Sequence, residues 1–99
     1  MKGDDISERL LDLSVRTIKL VKTLANNFIN KHIGNQLLRS ATSAGANYEE
    51  ERSSESNADF VHKLKLVLKE LRESIYWLKV IRKGLRANQI QFLNKNVNL

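Results

Sequence analysis

The chain has 99 residues, 41% of them hydrophobic, with 17 Lys and Arg against 11 Asp and Glu, a net charge of +6 and a pI near 9.8. A chain this short makes one domain, here 1–99, and buries only about 60–65% of the surface its unfolded form exposes. It has no Cys to cross-link so thin a core, which leaves oligomerisation as the remaining reinforcement. No segment approaches the roughly 18 apolar residues of a membrane span. Met1 to Asp12 carries Asp4, Asp5, Glu8 and Asp12 without an apolar run, so no signal peptide is expected. A soluble, cytoplasmic protein is expected.

Pro is absent, and apolar residues recur at steps of three and four, the period of an amphipathic helix, with no strand-like alternation. The first helix is predicted over Ser7–Phe28. Ile6, Leu10, Leu13, Thr17, Leu20, Leu24 and Phe28 form its inward stripe, Ile18 and Val21 widen it, and Asp4 or Asp5 caps it. Asn26 to Gly34 reads as the helix end and a turn, with Asn30 and Gly34 suited to left-handed backbone and Ile29 and Ile33 tucked beneath.

The second helix, Asn35–Arg52, has no side chain larger than Asn between Ser40 and Asn47. Gly45 inside it costs about 1 kcal/mol relative to Ala. Close approach of another helix is the expected compensation, either a tight crossing within the chain or a contact with another subunit. Leu37, Ala41, Ala44 and Tyr48 make the inward row. Ser56-Asn57-Ala58-Asp59 resembles a capping box with Asp for Glu and opens a third helix running to Lys83 and ended by Gly84. Its stripe is Phe60 or Val61, Leu64, Val67, Leu68, Leu71, Ile75, Leu78 and Ile81. Ile90, Phe92, Leu93 and Val97 suit a short fourth helix from Ala87 or Asn88. The fold expected is all-α, an up-and-down four-helix bundle whose short fourth helix leaves part of the groove open to a partner.

One constellation rises above composition. Lys65, Lys69, Arg72, Tyr76, Lys79 and Lys83 are spaced 4, 3, 4, 3 and 4 residues apart, so they line one helix face opposite the core. Such a row fits phosphates, since each neutralised phosphate releases a counterion, and Tyr76 can stack on an unpaired base. The first helix adds Arg9, Arg16, Lys19 and Lys22. The plainer reading is a solvated face partly balanced by Glu70 and Glu73. His32 and His62 stand far apart without a metal-binding spacing, so no metal or cofactor is expected. Glu49, Glu50, Glu51 and Glu55 form an acidic patch with no nucleophile or partnered His. It reads as a salt-bridging or subunit-docking patch, with Glu49 and Glu50 meeting cations of another helix. Trp77 is expected against a neighbouring helix with its indole N–H near the surface.

Gln36–Glu50 (QLLRSATSAGANYEE), Asp59–Lys65 (DFVHKLK) and Leu68–Leu78 (LKELRESIYWL) together resemble the four-helix-bundle family of 23S rRNA intervening-sequence proteins. With the first helix, the resemblance spans about residues 7 to 83. It implies a bundle that assembles as a homopentamer, with no catalytic activity. A related branch resembles the accessory variability proteins of diversity-generating retroelements, which bind nucleic acid. The resemblance gives Arg39, Ser43, Asn47, Glu49 and Glu50 a structural part, holding the second helix against its neighbours. The chain departs from the family after Lys83, where Asn-rich sequence replaces an acidic, Leu-rich fourth helix.

The function expected is that of a non-enzymatic, oligomeric bundle presenting Lys65, Lys69, Arg72, Tyr76, Lys79 and Lys83 to structured RNA or a ribonucleoprotein, with no small-molecule substrate. The alternative is a scaffold that docks a partner protein without binding nucleic acid.

Overall fold

A computed structural model describes residues 2–52 and 56–85, with side chains from Asp5 onward. These residues form α1 (Lys2–Thr23), α2 (Phe28–Glu51), α3 (Asn57–Val80) and a five-residue π-helical turn, Ile81–Leu85, with no strand among them. The expected fourth helix and Glu55 lie outside the described residues.

α2 is the central element, packed against α1 and against α3. Its inward row is as expected: Leu37, Ala41 and Ala44 are fully buried and Tyr48 nearly so. Two clusters form along it. Leu10 of α1, Ala44 and Tyr48 of α2 and Val67 of α3 meet at one level. Leu37, Ile81 and Leu85 meet at the other, with Leu20, Val21, Leu24, Ile33 and Trp77 packed around them. At Gly45 a Cβ would lie 3.8 Å from Leu10 Cβ. Its small side faces α1 of the same chain, the crossing within the chain among the two expected.

The turn between α1 and α2 is shorter than expected, and α2 starts seven residues before Asn35. Asn27 caps α2 from an extended backbone, its Oδ1 accepting the Asn30 N–H at 2.8 Å, a bond worth about 1 kcal/mol. Asn30 stands in the first helical turn and donates back to the Ala25 carbonyl at 3.0 Å. Gly34 is no turn residue. It is buried inside α2, where a Cβ would come within 3.1 Å of Val21 Cγ1, so its small size serves close helix packing. Phe28 and Ile29, placed by sequence on the inward stripe and under the turn, are 84% and 59% exposed.

At the other ends, α1 begins at Lys2, which puts Asp4 and Asp5 inside the helix and not at its cap. Ser56 caps α3 as expected, its hydroxyl accepting the Asp59 N–H at 3.1 Å. Gly84 does not end α3. The helix passes at Val80 straight into the π-helical turn that contains Gly84, and Ile81 and Leu85 of that turn are both buried.

The apolar stripes narrow in the structure. Leu10 and Thr17, seven residues apart, are the buried residues of α1 from Asp5 onward, while Ile6 and Ile18 are exposed. Val67 and Ser74 of α3 and Ile81 of the π-helical turn form one buried row, and Phe60, Val61, Leu68, Ile75 and Leu78 are 36% to 52% exposed. Among the described residues α1 and α3 each rest mainly on α2 and bury a narrow row, whereas the sequence carries stripes wide enough for two neighbours.

Candidate nucleic-acid interface

The outer face of α3 is set by what its inner face binds. The hydroxyls of Ser40 and Ser74 lie 2.8 Å apart, fully buried between α2 and α3. With one proton each, whichever hydroxyl accepts from the other donates within its own helix, Ser40 to the Leu37 carbonyl at 3.1 Å or Ser74 to the Glu70 carbonyl at 2.9 Å. Side chains this small let the two backbones approach, and the paired hydroxyls satisfy each other without water.

Beside them Arg39 of α2 reaches across to α3. Its guanidinium donates to Glu70 Oε2 at 3.3 Å and to Glu73 Oε2, and it is held from its own helix by Gln36 Oε1 at 3.2–3.3 Å. The Trp77 indole N–H also donates to Glu73, at 3.1 Å, and the Trp77 ring meets His32 edge-on at 6.3 Å. Trp77 therefore packs against α2 as expected, but its N–H is spent on a carboxylate.

This arrangement decides the electrostatics of the outer face. The sequence set Glu70 and Glu73 as partial counter-charges to the basic row, and the structure turns both toward Arg39. Lys65, Lys69, Arg72, Tyr76, Lys79 and Lys83 are all exposed. None of the five cations has an ion pair within the described residues. Lys65 to Lys79 stand on α3 and Lys83 on the π-helical turn, a row of about 27 Å at the α-helical rise. Tyr76, 59% exposed, sits within it with its ring edge-on to Trp77 at 5.1 Å. The Trp77–Glu73–Arg39 chain ties that support to α2, so the Tyr76 ring is presented from a fixed base.

The other basic residues are placed differently. Arg9 pairs with Asp5 at 3.7 Å on the exposed side of α1, where Arg16, Lys19 and Lys22 are also exposed. Lys63 leaves the basic count of α3, because it bonds Glu50 of α2 at 2.6 Å. Glu50 thus meets a cation of another helix as expected. Glu49 instead pairs with Arg52 at the end of its own helix, at 3.7 Å. Arg52 also donates to Ser7 of α1 at 2.9 Å.

Glu51 was not distinguished from its neighbours by sequence. It is 1% exposed, neither carboxylate oxygen has a hydrogen-bond partner among the described residues, and burial pushes its carboxyl above the ordinary value of 4.5. No cluster of three or more His, Cys, Asp or Glu able to hold a metal occurs among the described residues. No helix among them is long and apolar enough to cross a membrane.

A family model described as 23S rRNA-intervening sequence protein matches residues 4–97, extending past Lys83 where the motif resemblance stopped. The chain is also similar to a solved structure at 1.70 Å resolution, a protein of unknown function from the S23 ribosomal protein family of Bacteroides thetaiotaomicron. The two are 39% identical with a TM-score of 0.75, covering 86% of this chain and 77% of that one. No curated protein matches the chain.

Proposed function

The chain belongs to the 23S rRNA-intervening sequence protein family, and we propose that it acts by binding structured RNA along the basic outer face of α3, without catalysing a reaction. The observation that carries this reading is the separation of charge on α3. Its two central acids are drawn to Arg39, while Lys65, Lys69, Arg72, Lys79 and Lys83 face solvent without ion pairs in the described residues. Each cation can neutralise one phosphate, and Tyr76 can receive an unpaired base on its exposed ring. Assembly of several copies, five by the family resemblance, would repeat this row around a particle and raise avidity for a folded RNA.

The test is a titration of a labelled RNA hairpin with an unpaired loop, across a series of salt concentrations, followed by anisotropy. Five phosphate contacts per chain set an upper limit of about −4.5 for the slope of log K against log salt on duplex RNA, taking the duplex value of −0.9 per contact. Lys69→Glu/Arg72→Glu should weaken binding and flatten the slope. Tyr76→Ala should weaken the looped hairpin by about 5- to 150-fold and leave a blunt duplex nearly unchanged. Binding that ignores salt, or that survives the double charge reversal, refutes the reading.

A further inference from the structure

Four rings gather on the outer side of the α2–α3 pair, and the basic row accounts for one of them. Trp77 stands at the centre, part-buried, with its indole N–H on Glu73. Tyr76 of α3 meets it edge-on at 5.1 Å, and His32 of α2 meets it edge-on at 6.3 Å. Phe28 lies four residues before His32, on the same face of α2 and one turn away. His32 is exposed, Tyr76 is 59% exposed and Phe28 is 84% exposed. Phe28 belongs to neither core cluster of the described residues, so packing does not account for it.

The rings lie away from the apolar face of α3. At about 100° per residue, Trp77 is turned about 200° from Ile75, so a further helix seated on Leu64, Leu68 and Ile75 would lie across the axis from them. Their surroundings are cationic. Arg72 and Lys69 precede Tyr76 by one and two turns, Lys31 next to His32 is exposed, and the first turn of α2 holds no acid. Glu73, the acid that touches the group, is held by Arg39 and by the Trp77 N–H.

We propose that Phe28 and His32 form a second stacking site for unpaired bases, so that a single strand leaving Tyr76 crosses Trp77 onto α2. Resting on the RNA reading, this site narrows the ligand to RNA with an overhang or loop of several unpaired nucleotides, because rings on two helices cannot both be filled by one base. Charge selects this occupant. Exposed rings flanked by Lys and Arg suit a strand that carries a phosphate on every nucleotide, and ring faces receive any base without reading its edge. A duplex, whose bases are already stacked, reaches only the cations.

The experiment titrates the full chain with an RNA stem that is either blunt or extended by an overhang of about six unpaired nucleotides, with an abasic overhang as control. Anisotropy reads binding, and the fluorescence of Trp77, the one Trp of the chain, reads stacking beside it. The overhang should tighten binding and quench Trp77, and the abasic overhang should not quench it. In Tyr76→Ala both effects should persist in part. Adding Phe28→Ala/His32→Ala should remove them, weakening the overhang RNA by at least about fivefold and leaving the blunt stem unchanged. Phe28→Tyr/His32→Tyr, which keeps both rings, should retain the wild-type preference for the overhang. The site is refuted, with the RNA reading left standing, if the overhang RNA binds no tighter than a blunt stem whose binding is salt-sensitive, or if the alanine variant keeps the gain and the quench. Failure of both RNAs to bind overturns the two together. Light scattering that finds an oligomer dissociated by Phe28→Ala/His32→Ala would assign the rings to a subunit contact and overturn the site as well.

Discussion

Replacing Arg39 tests the contact on which the placement of α3 depends. The Arg39 side chain is 47% exposed, but its partners are less so, Glu70 at 15% and Glu73 at 30%. A fully exposed pair contributes about 0–1 kcal/mol and breaking a buried one costs about 3–5. Two part-buried carboxylates sharing one guanidinium fall between, and Arg39→Ala should cost about 1.5–2.5 kcal/mol. It leaves Glu70 and Glu73 repelling each other one helical turn apart, with Glu73 still accepting from the Trp77 N–H. For a domain of this size that is a fall in Tm of about 6–20 °C. Urea unfolding should show a lower midpoint at unchanged slope. Adding Glu70→Gln/Glu73→Gln to Arg39→Ala should recover more than half of the loss, because the cost is mostly stranded charge. A loss below about 0.5 kcal/mol, or no recovery in the combined variant, would refute the argument that Arg39 fixes the helix and draws the acids off the basic face.

Glu51 gives a pH-dependent prediction of the opposite sign. Burial holds its carboxyl above the ordinary 4.5, so the folded chain binds more protons than the unfolded one in the window just above that value. Stability from this group therefore falls as pH rises through the window. Glu51→Met should stabilise the chain at pH 7 by about 1–3 kcal/mol and gain less at pH 4, read from urea midpoints of variant and wild type. A loss at pH 7 would mean that the carboxylate has a partner after all. The two helix glycines should also separate. Gly45→Ala, with ordinary contact distances of 3.8–3.9 Å around the new Cβ, should gain up to about 1 kcal/mol. Gly34→Ala, at 3.1 Å from Val21 Cγ1, should gain less or lose, and thermal melts of the two variants rank them.

The helices and the buried row of α2 were legible in the sequence because Leu37, Ala41, Ala44 and Tyr48 recur at helical steps in a segment of small residues. The Ser56 cap was legible because the side chain that makes it is local. What misled was glycine. Gly34 looks like a turn in one dimension, and only the proximity of Val21 shows that it is a packing position. Asn27, the true cap, was obscured by the other Asn residues around it. The basic row was legible as a face, but the fate of Glu70 and Glu73 was not. Their partner lies 31 and 34 residues away on another helix, and no local pattern reports which side of α3 an acid turns to. Glu51 was illegible for a related reason: Glu49, Glu50 and Glu51 are chemically equal in sequence, and helix rotation alone makes the third of them buried.

Rotation also links the interface to the core. Successive residues on α3 differ by about 100° around its axis, so fixing Ser74 and Glu73 against α2 determines where Ile75 and Tyr76 point. With Ser74 inward, Ile75 is exposed and Tyr76 falls among the cations. Turning α3 by one residue would bury Ile75, carry Glu73 away from Arg39 and bring Tyr76 and Arg72 toward the core. The polar contacts with Ser40 and Arg39 therefore act as register pins. Beyond their energetic contribution, they select which of two chemically different faces the chain offers to its surroundings. An unbroken apolar contact between α2 and α3 could gain similar stability and would not make that choice, because Leu, Ile and Val side chains tolerate small rotations that a shared carboxylate and a buried hydroxyl pair do not.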